Sequence, residues 1–326
     1  YFALETLTLG VFNVWMGMNS LSGAAQISSV LFIIVVVLLT IEYLARRNQR
    51  FHEKSSGQNN LEEENISNLK KFKCIVVCSV PIILGFVIPI SVLGNFVFRG
   101  FSIINFYEII QTTLSSIGLA FVGAIFVMLI SLLMILVSNY KSNTLQKSII
   151  FLASCGYAFP GTILAVGIVV FVGWLNDNIY FHFSYFAGGF LILIFAYTTR
   201  FLAVGNGAIR SGILRVHPNL MDANKTMGIG FFMGIRKLII PLIYTNILVG
   251  GILVFVDILK ELPITLLLRP FNFETLATYV YQYASDELLE ESSFAALIII
   301  LAGLGPVIFL SKTIKNISKK KQSNIV

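Results

Sequence analysis

Long apolar runs separated by short polar stretches make up most of the chain. Seven of these runs are long enough to cross the hydrocarbon core of a bilayer, about 30 Å thick, as α-helices. They cover residues 28–44, 75–97, 114–138, 149–174, 184–204, 239–260 and 293–311. None of them alternates polar and apolar positions as the strands of a membrane barrel do, and unpaired backbone groups are excluded from lipid. The pattern therefore predicts an all-α integral membrane protein with about seven spans.

The polar stretches divide the chain into three parts. Residues 47–72 are rich in charged and amide side chains and lack apolar periodicity, which predicts a flexible cytoplasmic linker. A lone span within residues 1–46 precedes the linker, and a six-span block, residues 73–326, follows it. The longest polar interruption of the block, residues 205–237, is predicted to be a cytoplasmic loop.

Composition and charge support this topology. Hydrophobic residues make up 56% of the chain and charged residues only 12%, whereas a soluble domain has about 25% charged residues. Of the 23 Lys and Arg residues, only Arg99, Lys260 and Arg269 lie outside four basic segments, which occupy alternate loops. The positive-inside rule then places the C-terminus in the cytoplasm and the N-terminus outside. Because the basic residues follow the spans in this way, the net charge of +7 does not indicate a nucleic-acid partner.

The loop at 205–237 holds the most informative polar motif. Pro218 suits the first turn of a short helix, and Gly228 can adopt the left-handed conformation that ends one. The product is a pair of short helices on the cytoplasmic surface, connected through Pro241 to the next span. On physical grounds alone, an ordinary polar loop is an equally good interpretation.

The spacing of this loop resembles the EAA motif of ABC-transporter permeases: Glu-Ala-Ala, three residues, Gly, nine residues, then Ile-x-Leu-Pro. Asp222 stands for the Glu, while Ala223, Gly228 and Pro241 match, and Asn224 replaces the second Ala. The resemblance implies that Asp222, Ala223, Gly228 and Pro241 couple the chain to an ATPase. Arg215 and Lys225, which flank the motif, are expected to support this coupling by pairing with the ATPase.

Three further segments resemble the ferric-iron uptake permeases of that superfamily, in which two permease halves are fused. They are Gly156-Tyr-Ala-Phe-Pro-Gly-Thr-Ile-Leu-Ala-Val-Gly, Arg200-Phe-Leu-Ala-Val, and Asp257-Ile-Leu-Lys-Glu-Leu-Pro-Ile-Thr-Leu-Leu-Leu-Arg-Pro. The six-span block looks like the second half of such a protein, and residues 1–46 look like the last helix of the first half. Since the chain begins with Tyr1, an upstream permease half with its own coupling loop is expected.

This resemblance implies a set of partners. No G-x-x-x-x-G-K-[ST] phosphate-binding loop occurs in the sequence, so no cofactor is expected in this chain, and ATP and Mg would be bound by a separate ABC ATPase dimer. An external or periplasmic substrate-binding protein, membrane lipid and a bacterial inner-membrane location are also implied. Permeases for thiamine or phosphonates are similar, an ion-coupled secondary transporter is an alternative from another class, and a non-transporting membrane scaffold is a third.

Several residues within the spans are candidates for the transport path. Pro81, Pro89, Pro160 and Pro306 are predicted to interrupt or bend helices. Pro160 and Gly161 form either a path-lining kink or a site of close helix packing between small residues. Asp257 is either a path residue or half of a neutral pair with Lys260, three positions later.

The external loop at 261–292 is acidic and contains several tyrosines. Glu274, Glu290 and Glu291 are predicted to help dock a basic patch on a binding protein. Carboxylate and phenolate oxygens also suit a ferric ion, but acids and tyrosines are ordinary residues for an external membrane surface. No metal site is therefore predicted in this chain.

Overall fold

The computed structural model describes residues 6–47, 67–102, 104–140, 143–178, 189–216, 220 and 230–323. Every regular element in these ranges is helical. Seven helices are long and apolar enough to cross a membrane: Leu21–Glu42, Asn68–Gly100, Phe106–Ser138, Gly161–Asn178, Phe190–Ile213, Ile235–Leu259 and Leu289–Lys312. The prediction of an all-α protein with seven membrane spans is confirmed.

Eleven helices are referred to below by number. They are α1 (Leu7–Phe12), α2 (Leu21–Arg47), α3 (Asn68–Gly100), α4 (Phe106–Tyr140), α5 (Thr144–Ser154), α6 (Gly161–Asn178), α7 (Phe190–Ile213), α8 (Ile240–Leu259), α9 (Pro263–Leu268), α10 (Leu276–Ser285) and α11 (Leu289–Ser323). A short turn, Phe231–Gly234, and a π-helical turn, Ile235–Ile239, lead into α8.

Helices α4, α7 and α8 form the centre of the six-span block. Small residues allow these helices to approach closely, as is common in membrane bundles. A Cβ atom at Gly250 of α8 would lie 2.7 Å from the Cβ of Ala208 of α7, and one at Gly205 would lie 2.3 Å from Oγ of Ser131 of α4. Apolar side chains such as Tyr197 fill the space between the helices and are fully buried. The centre of the block is therefore a tightly packed three-helix core.

The α10–α11 hairpin packs against the first half of α4. Thr275 caps α10, since its hydroxyl accepts a hydrogen bond from the N–H of Thr278. The N–H of Leu276 donates to Oγ of Ser116, 2.6 Å away and inside α4. Buried apolar side chains, including Tyr279, complete this contact. The first residues of α10 are thus held against α4 at Ser116, and not at the beginning of that helix.

The lone span α2 packs against α6, together with α1. Val11, Ala24 and Val166 form a small buried cluster between these three helices. By contrast, α3 has no buried residue from Asn68 to Ile82, although its composition is strongly apolar. In the described part of the chain, the first half of α3 therefore adds no buried residue to the core, whereas Gly100 at its end is buried against Glu290 of α11.

The prolines explain where two spans depart from straight helices. The predicted span 149–174 is broken, because Pro160 lacks an N–H group and forces the preceding residue out of the helical region. Phe159 is extended, with ψ of 136°, after a 3₁₀ turn over Cys155–Ala158. In α3, the π-helical turn Ile83–Val87 follows Pro81. Proline thus breaks one span and perturbs another.

Two predicted boundaries need correction. The loop predicted to begin at residue 205 starts later, because α7 continues to Ile213 and buries Asn206, Ile209 and Gly212. The linker also ends earlier than residue 72, because α3 begins at Asn68. In both places polar residues at the end of a span led the hydropathy pattern to place the boundary inside the helix.

Candidate functional site

The break between α5 and α6 lies against the middle of α7, where glycines leave room for the neighbouring helix. A Cβ atom at Gly156 would lie 2.1 Å from the carbonyl oxygen of Thr199. One at Gly161 would lie 2.4 Å from Nη1 of Arg200 and 2.8 Å from Oε1 of Glu261. Any side chain at these two positions would push α7 and the segment after α8 away from the break.

A buried ion pair occupies the space beside Gly161. Nη1 of Arg200 lies 3.5 Å from Oε1 of Glu261, and the side chains are 19% and 7% exposed. Arg200 is near the middle of α7, so the pair lies deep between the helices. The N–H of Ile264 donates a hydrogen bond of 3.4 Å to the same carboxylate oxygen. Charges buried at this depth in a membrane protein are costly and usually functional.

A hydroxyl pair joins the same two elements. Oγ1 of Thr265 donates to the carbonyl oxygen of Glu261 at 2.6 Å, so its single proton is already used. The hydroxyl of Tyr197 must therefore donate to Oγ1 of Thr265, at 2.5 Å. The ion pair and this hydrogen bond together hold the segment from Glu261 to Leu268, here called the re-entrant segment, against α7.

The neighbouring pair Asp257–Lys260 is of a different kind. Its atoms Oδ1 and Nζ are 2.9 Å apart at positions three apart in sequence, with 16% of the Asp257 side chain and 62% of the Lys260 side chain exposed. The contact agrees with the predicted neutral pair. Because both partners belong to the end of α8 and its cap, the pair joins no second element.

Sequence reasoning did not single out Arg200 or Glu261. Arg200 was counted with the cytoplasmic basic residues and Glu261 with the external acids, whereas in the structure Glu261 is buried and Arg200 is partly buried beside it. The available signal for Arg200 was its position inside the predicted span 184–204. Glu261 gave a weaker signal, because it directly follows a span and its partner is distant in sequence.

Several buried polar atoms around the break have no hydrogen-bond partner within the part of the chain that the structure describes. They are Nε and Nη1 of Arg200, Oγ1 of Thr162 and Oδ1 of Asn206. Asn206 uses its amide nitrogen to donate to Oγ of Ser154, 3.4 Å away at the end of α5. We call the residues Ser154, Thr162, Arg200, Asn206 and Glu261 the polar seam. Buried polar atoms without a partner are rare in folded proteins, and oxygen ligands or water could satisfy those of the seam.

The predicted coupling residues Asp222, Ala223, Lys225 and Gly228 lie outside the described residues. Arg215 is exposed in the turn that follows α7, and its N–H donates to the carbonyl oxygen of Gly212 at 3.1 Å. Pro241 lies in the first turn of α8, directly after the π-helical turn.

The two ends of the predicted coupling loop are in contact. A Cβ atom at Gly212 would lie 2.9 Å from the Cβ of Asn246 and 3.1 Å from that of Ile243. The amide nitrogen of Asn246 also donates to Oγ of Ser211 at 3.0 Å. The end of α7 and the first two turns of α8 are therefore packed against each other.

The predicted docking acids lie in two environments. Glu274 accepts a 2.8 Å hydrogen bond from Nη1 of Arg269, so its charge is largely compensated. Glu290 and Glu291 lie half-buried in the first turn of α11, where acids interact favourably with the helix dipole. Asp286 and Glu287, in the turn before α11, are more exposed and were not among the predicted docking residues.

The tyrosines of this region pack rather than face an open site. Tyr279 is 3% exposed, and its ring centroid lies 4.4 Å from that of Tyr283. Tyr281 contacts Phe12 of α1 edge to face. The described residues contain no group of three or more His, Cys, Asp or Glu residues that could hold a metal ion.

Comparison with known proteins gives a family model and several relatives. Residues 134–320 match the family described as "Binding-protein-dependent transport system inner membrane component". The chain is 24% identical over 314 residues to the Fe(3+)-transport system permease protein FbpB 2 of Haemophilus influenzae. The match covers 94% of this chain but 60% of that relative, so the chain spans well under two thirds of the relative's length.

Two solved structures share the fold. One is a bacterial alginate ABC transporter in complex with an alginate pentasaccharide-bound periplasmic protein, with a TM-score of 0.58 and 17% identity over 77% of this chain and 97% of that one. The other is a bacterial ABC transporter involved in the import of the acidic polysaccharide alginate, with a TM-score of 0.57 and 14% identity over 76% and 96% of the two chains. At these identities the likeness concerns the fold alone.

Proposed function

The chain belongs to the family of binding-protein-dependent transport system inner membrane components, and on this premise we propose that it is the permease of an ATP-driven importer for ferric iron. The observation that carries the proposal is the match of the family model to residues 134–320, which include the polar seam, α7, α8 and the loop between them. Seven apolar helices make the chain a multi-pass membrane protein. The bacterial inner membrane, with the C-terminus in the cytoplasm, is the location we propose.

Ferric iron is the substrate suggested by the curated relative, whereas the two solved structures are of alginate transporters. The relative from Haemophilus influenzae is a ferric-iron transport permease by name, and its match extends over 94% of this chain. The motifs around Gly156, Arg200 and Asp257 resemble the ferric-iron permeases as well. Thiamine and phosphonate compounds are the alternative substrates, because their permeases carry similar motifs.

We propose that an ABC ATPase dimer on separate chains binds the coupling loop. Asp222, Ala223 and Gly228 would form the contact, with Arg215 and Lys225 pairing with the ATPase surface. The junction of Gly212 with Ile243 and Asn246 supports this role, because a force applied to the loop reaches α7 and α8 together. Pro241, in the first turn of α8, would carry the movement into that span.

An external binding protein would deliver the substrate to the opposite end of the spans. The acids of the α10–α11 region, above all Glu290 and Glu291 with their exposed neighbours Asp286 and Glu287, offer a negative surface to a basic partner. Complementary charge of this kind mainly raises the rate of association and the specificity. Glu274 takes a smaller part in this proposal, because Arg269 already compensates its charge.

Transport would proceed by alternating access. ATP binding to the ATPase dimer would move the coupling loop, and α8 would carry the movement to the re-entrant segment at its other end. The path would then open and close as the populations of two states shift. The extent of this shift is limited by the difference between the affinities of the two states for ATP.

A second permease half is needed to complete the path. We propose that it lies upstream in the same polypeptide, consistent with the 60% share of the relative that this chain covers. The apolar surface of α3, which has no buried residue from Asn68 to Ile82, is available to that half or to membrane lipid.

Uptake of ⁵⁵Fe(III) into vesicles that contain the permease, its ATPase and its binding protein tests the proposal. The expected result is uptake that requires ATP and stops when the ATPase carries a mutation that abolishes hydrolysis. Uptake driven by a proton or sodium gradient without ATP would overturn the proposal in favour of a secondary transporter. ATP-dependent uptake of labelled thiamine or a labelled phosphonate, with no uptake of ⁵⁵Fe(III), would retain the importer and change its substrate.

A further inference from the structure

The ion pair between Arg200 and Glu261 is the least expected feature of the membrane-buried core. Its guanidinium has two buried nitrogens, Nε and Nη1, without a hydrogen-bond partner, and the pair itself is loose at 3.5 Å. A buried charge pair repays its desolvation only when the geometry is good and the remaining donors are satisfied. In the state described, the attraction between Arg200 and Glu261 is therefore too weak to offset the cost of removing both charges from water, which argues against a purely structural role for the pair.

The position of the pair gives it a mechanical role. Glu261 directly follows α8 and begins the re-entrant segment, whereas Arg200 belongs to the middle of α7. Gly161, at the start of α6, leaves room for both side chains. The pair thus joins three elements at one point, and separating Arg200 from Glu261 would free the re-entrant segment from the broken α5–α6 span.

A neutral contact accompanies the charged one. The hydrogen bond from Tyr197 to Thr265 holds the same segment one turn further along. It ties the segment to α7 without placing a charge in the membrane. The nearby Asp257–Lys260 pair has the same charges as Arg200–Glu261 but joins no second element, so it serves as an internal comparison.

We propose that Arg200 and Glu261 are positioning residues for transport, and that their ion pair opens and re-forms as the re-entrant segment moves away from α7 during each cycle. The inference rests on the proposed function, because the cycle is that of the ATP-driven importer. Nε and Nη1 of Arg200 then lack partners because the side chain has to make contacts in two states of the cycle, and its position is not optimal for either one.

Single and double neutral variants test the coupling between the two charges. Arg200→Gln or Glu261→Gln leaves one buried charge without its partner, and uptake per ATP hydrolysed is expected to fall at least about tenfold. The double variant R200Q/E261Q leaves no unpaired charge and is expected to recover part of that ratio, since the two changes are not additive for residues in contact. Asp177→Asn, at an exposed acid near the end of α6, is the control and should leave the ratio unchanged.

A reversible cross-link tests the movement itself and keeps the ion pair intact. Tyr197→Cys and Thr265→Cys are introduced together in a chain whose Cys74, Cys78 and Cys155 are serine. The two thiols are joined by a short bis-methanethiosulfonate reagent, because the tyrosine ring that separates the two backbones leaves them too far apart for a direct disulfide. Treatment with the reagent should stop uptake, and a reductant, which cleaves the two disulfides that the reagent forms, should restore it. Either single cysteine variant should transport equally well with and without the reagent. Unchanged uptake when the cross-link is complete would overturn the proposal, because the segment would then not need to leave α7.

These experiments separate failure of the inference from failure of the proposed function. If the unmodified complex shows no ATP-dependent uptake of iron, the proposed function fails before any variant is compared. If the unmodified complex transports and the single neutral variants keep its uptake per ATP, the proposed function stands and the positioning role of Arg200 and Glu261 is refuted.

Discussion

Gly156 lies so close to Thr199 that a Cβ atom at position 156 would be 2.1 Å from the carbonyl oxygen of residue 199. The neighbouring atom belongs to the backbone of α7, which cannot rotate away as a side chain can. We therefore expect Gly156→Ala to displace α7 from the α5–α6 break and to destabilise the protein by about 1–3 kcal/mol, as overpacking does. The measurement is thermal unfolding of the purified protein in detergent.

Gly167→Ala is the matched control for this change. Gly167 lies within α6, and a Cβ atom there would meet no other atom within 4 Å. Alanine also favours a helix over glycine, so the midpoint of unfolding should stay the same or rise slightly. Equal losses for the two variants would show that the contact with Thr199 is not the cause.

The pair Asp257–Lys260 should contribute little to stability or transport. Lys260 is largely exposed, and such pairs are worth about 0–1 kcal/mol. Lys260→Ala is therefore expected to shift the free energy of unfolding by less than about 1 kcal/mol and to keep most of the uptake. A large loss of uptake in Asp257→Asn, with normal insertion and stability, would instead support a path role for Asp257.

The hydropathy pattern predicted the seven spans because lipid imposes a minimum length of apolar helix on any chain that crosses it. The break at Pro160 was also predictable, since proline acts on its own neighbours. The re-entrant helix α9 was not, because six residues, Pro263–Leu268, are too few for a hydropathy signal. Pairing of Arg200 with Glu261 depends on how α7 meets the end of α8, which no local pattern encodes.

Gly228→Arg should uncouple ATP hydrolysis from uptake. If Gly228 ends the short helix of the coupling loop, a bulky charged side chain there would alter the surface presented to the ATPase. The expected outcome is normal insertion in the membrane, continued hydrolysis by the assembled complex and at least about a tenfold loss of uptake per ATP.

Gly230→Arg provides the comparison for that variant, because it adds the same side chain two positions later. A Cβ atom at Gly230 would have no atom within 4 Å, so the added side chain has room. Uptake per ATP that falls equally in both variants would argue against a specific role for Gly228 and for a general effect of added charge in the loop.

Charge reversal at Glu290 and Glu291 should weaken docking of the binding protein. The two acids are half-buried beside exposed Asp286 and Glu287, so the double lysine variant changes the local charge strongly. The affinity of purified binding protein for the permease, measured at about 10 mM and about 150 mM salt, should fall most at the lower salt concentration, where screening is weak.

Asp177→Lys is the control for charge in general. Asp177 is an exposed acid near the end of α6 and lies outside the α10–α11 region. Its reversal should leave the affinity of the binding protein nearly unchanged. An affinity that is equally insensitive to reversal at Glu290 and Glu291 would remove this surface from the proposed mechanism.

The junction of Gly212 with Ile243 and Asn246 has a consequence for the loop that joins the two helices. Because α7 and α8 pack against each other at these residues, the separation of the two helices that the loop connects is set by their packing and not by the loop. Residues 217–229 can therefore gain, lose or exchange length without altering the spacing of the spans. An importer with this packing of α7 and α8 could therefore acquire a different ATPase by changing the sequence of the loop alone, while its membrane spans stay the same.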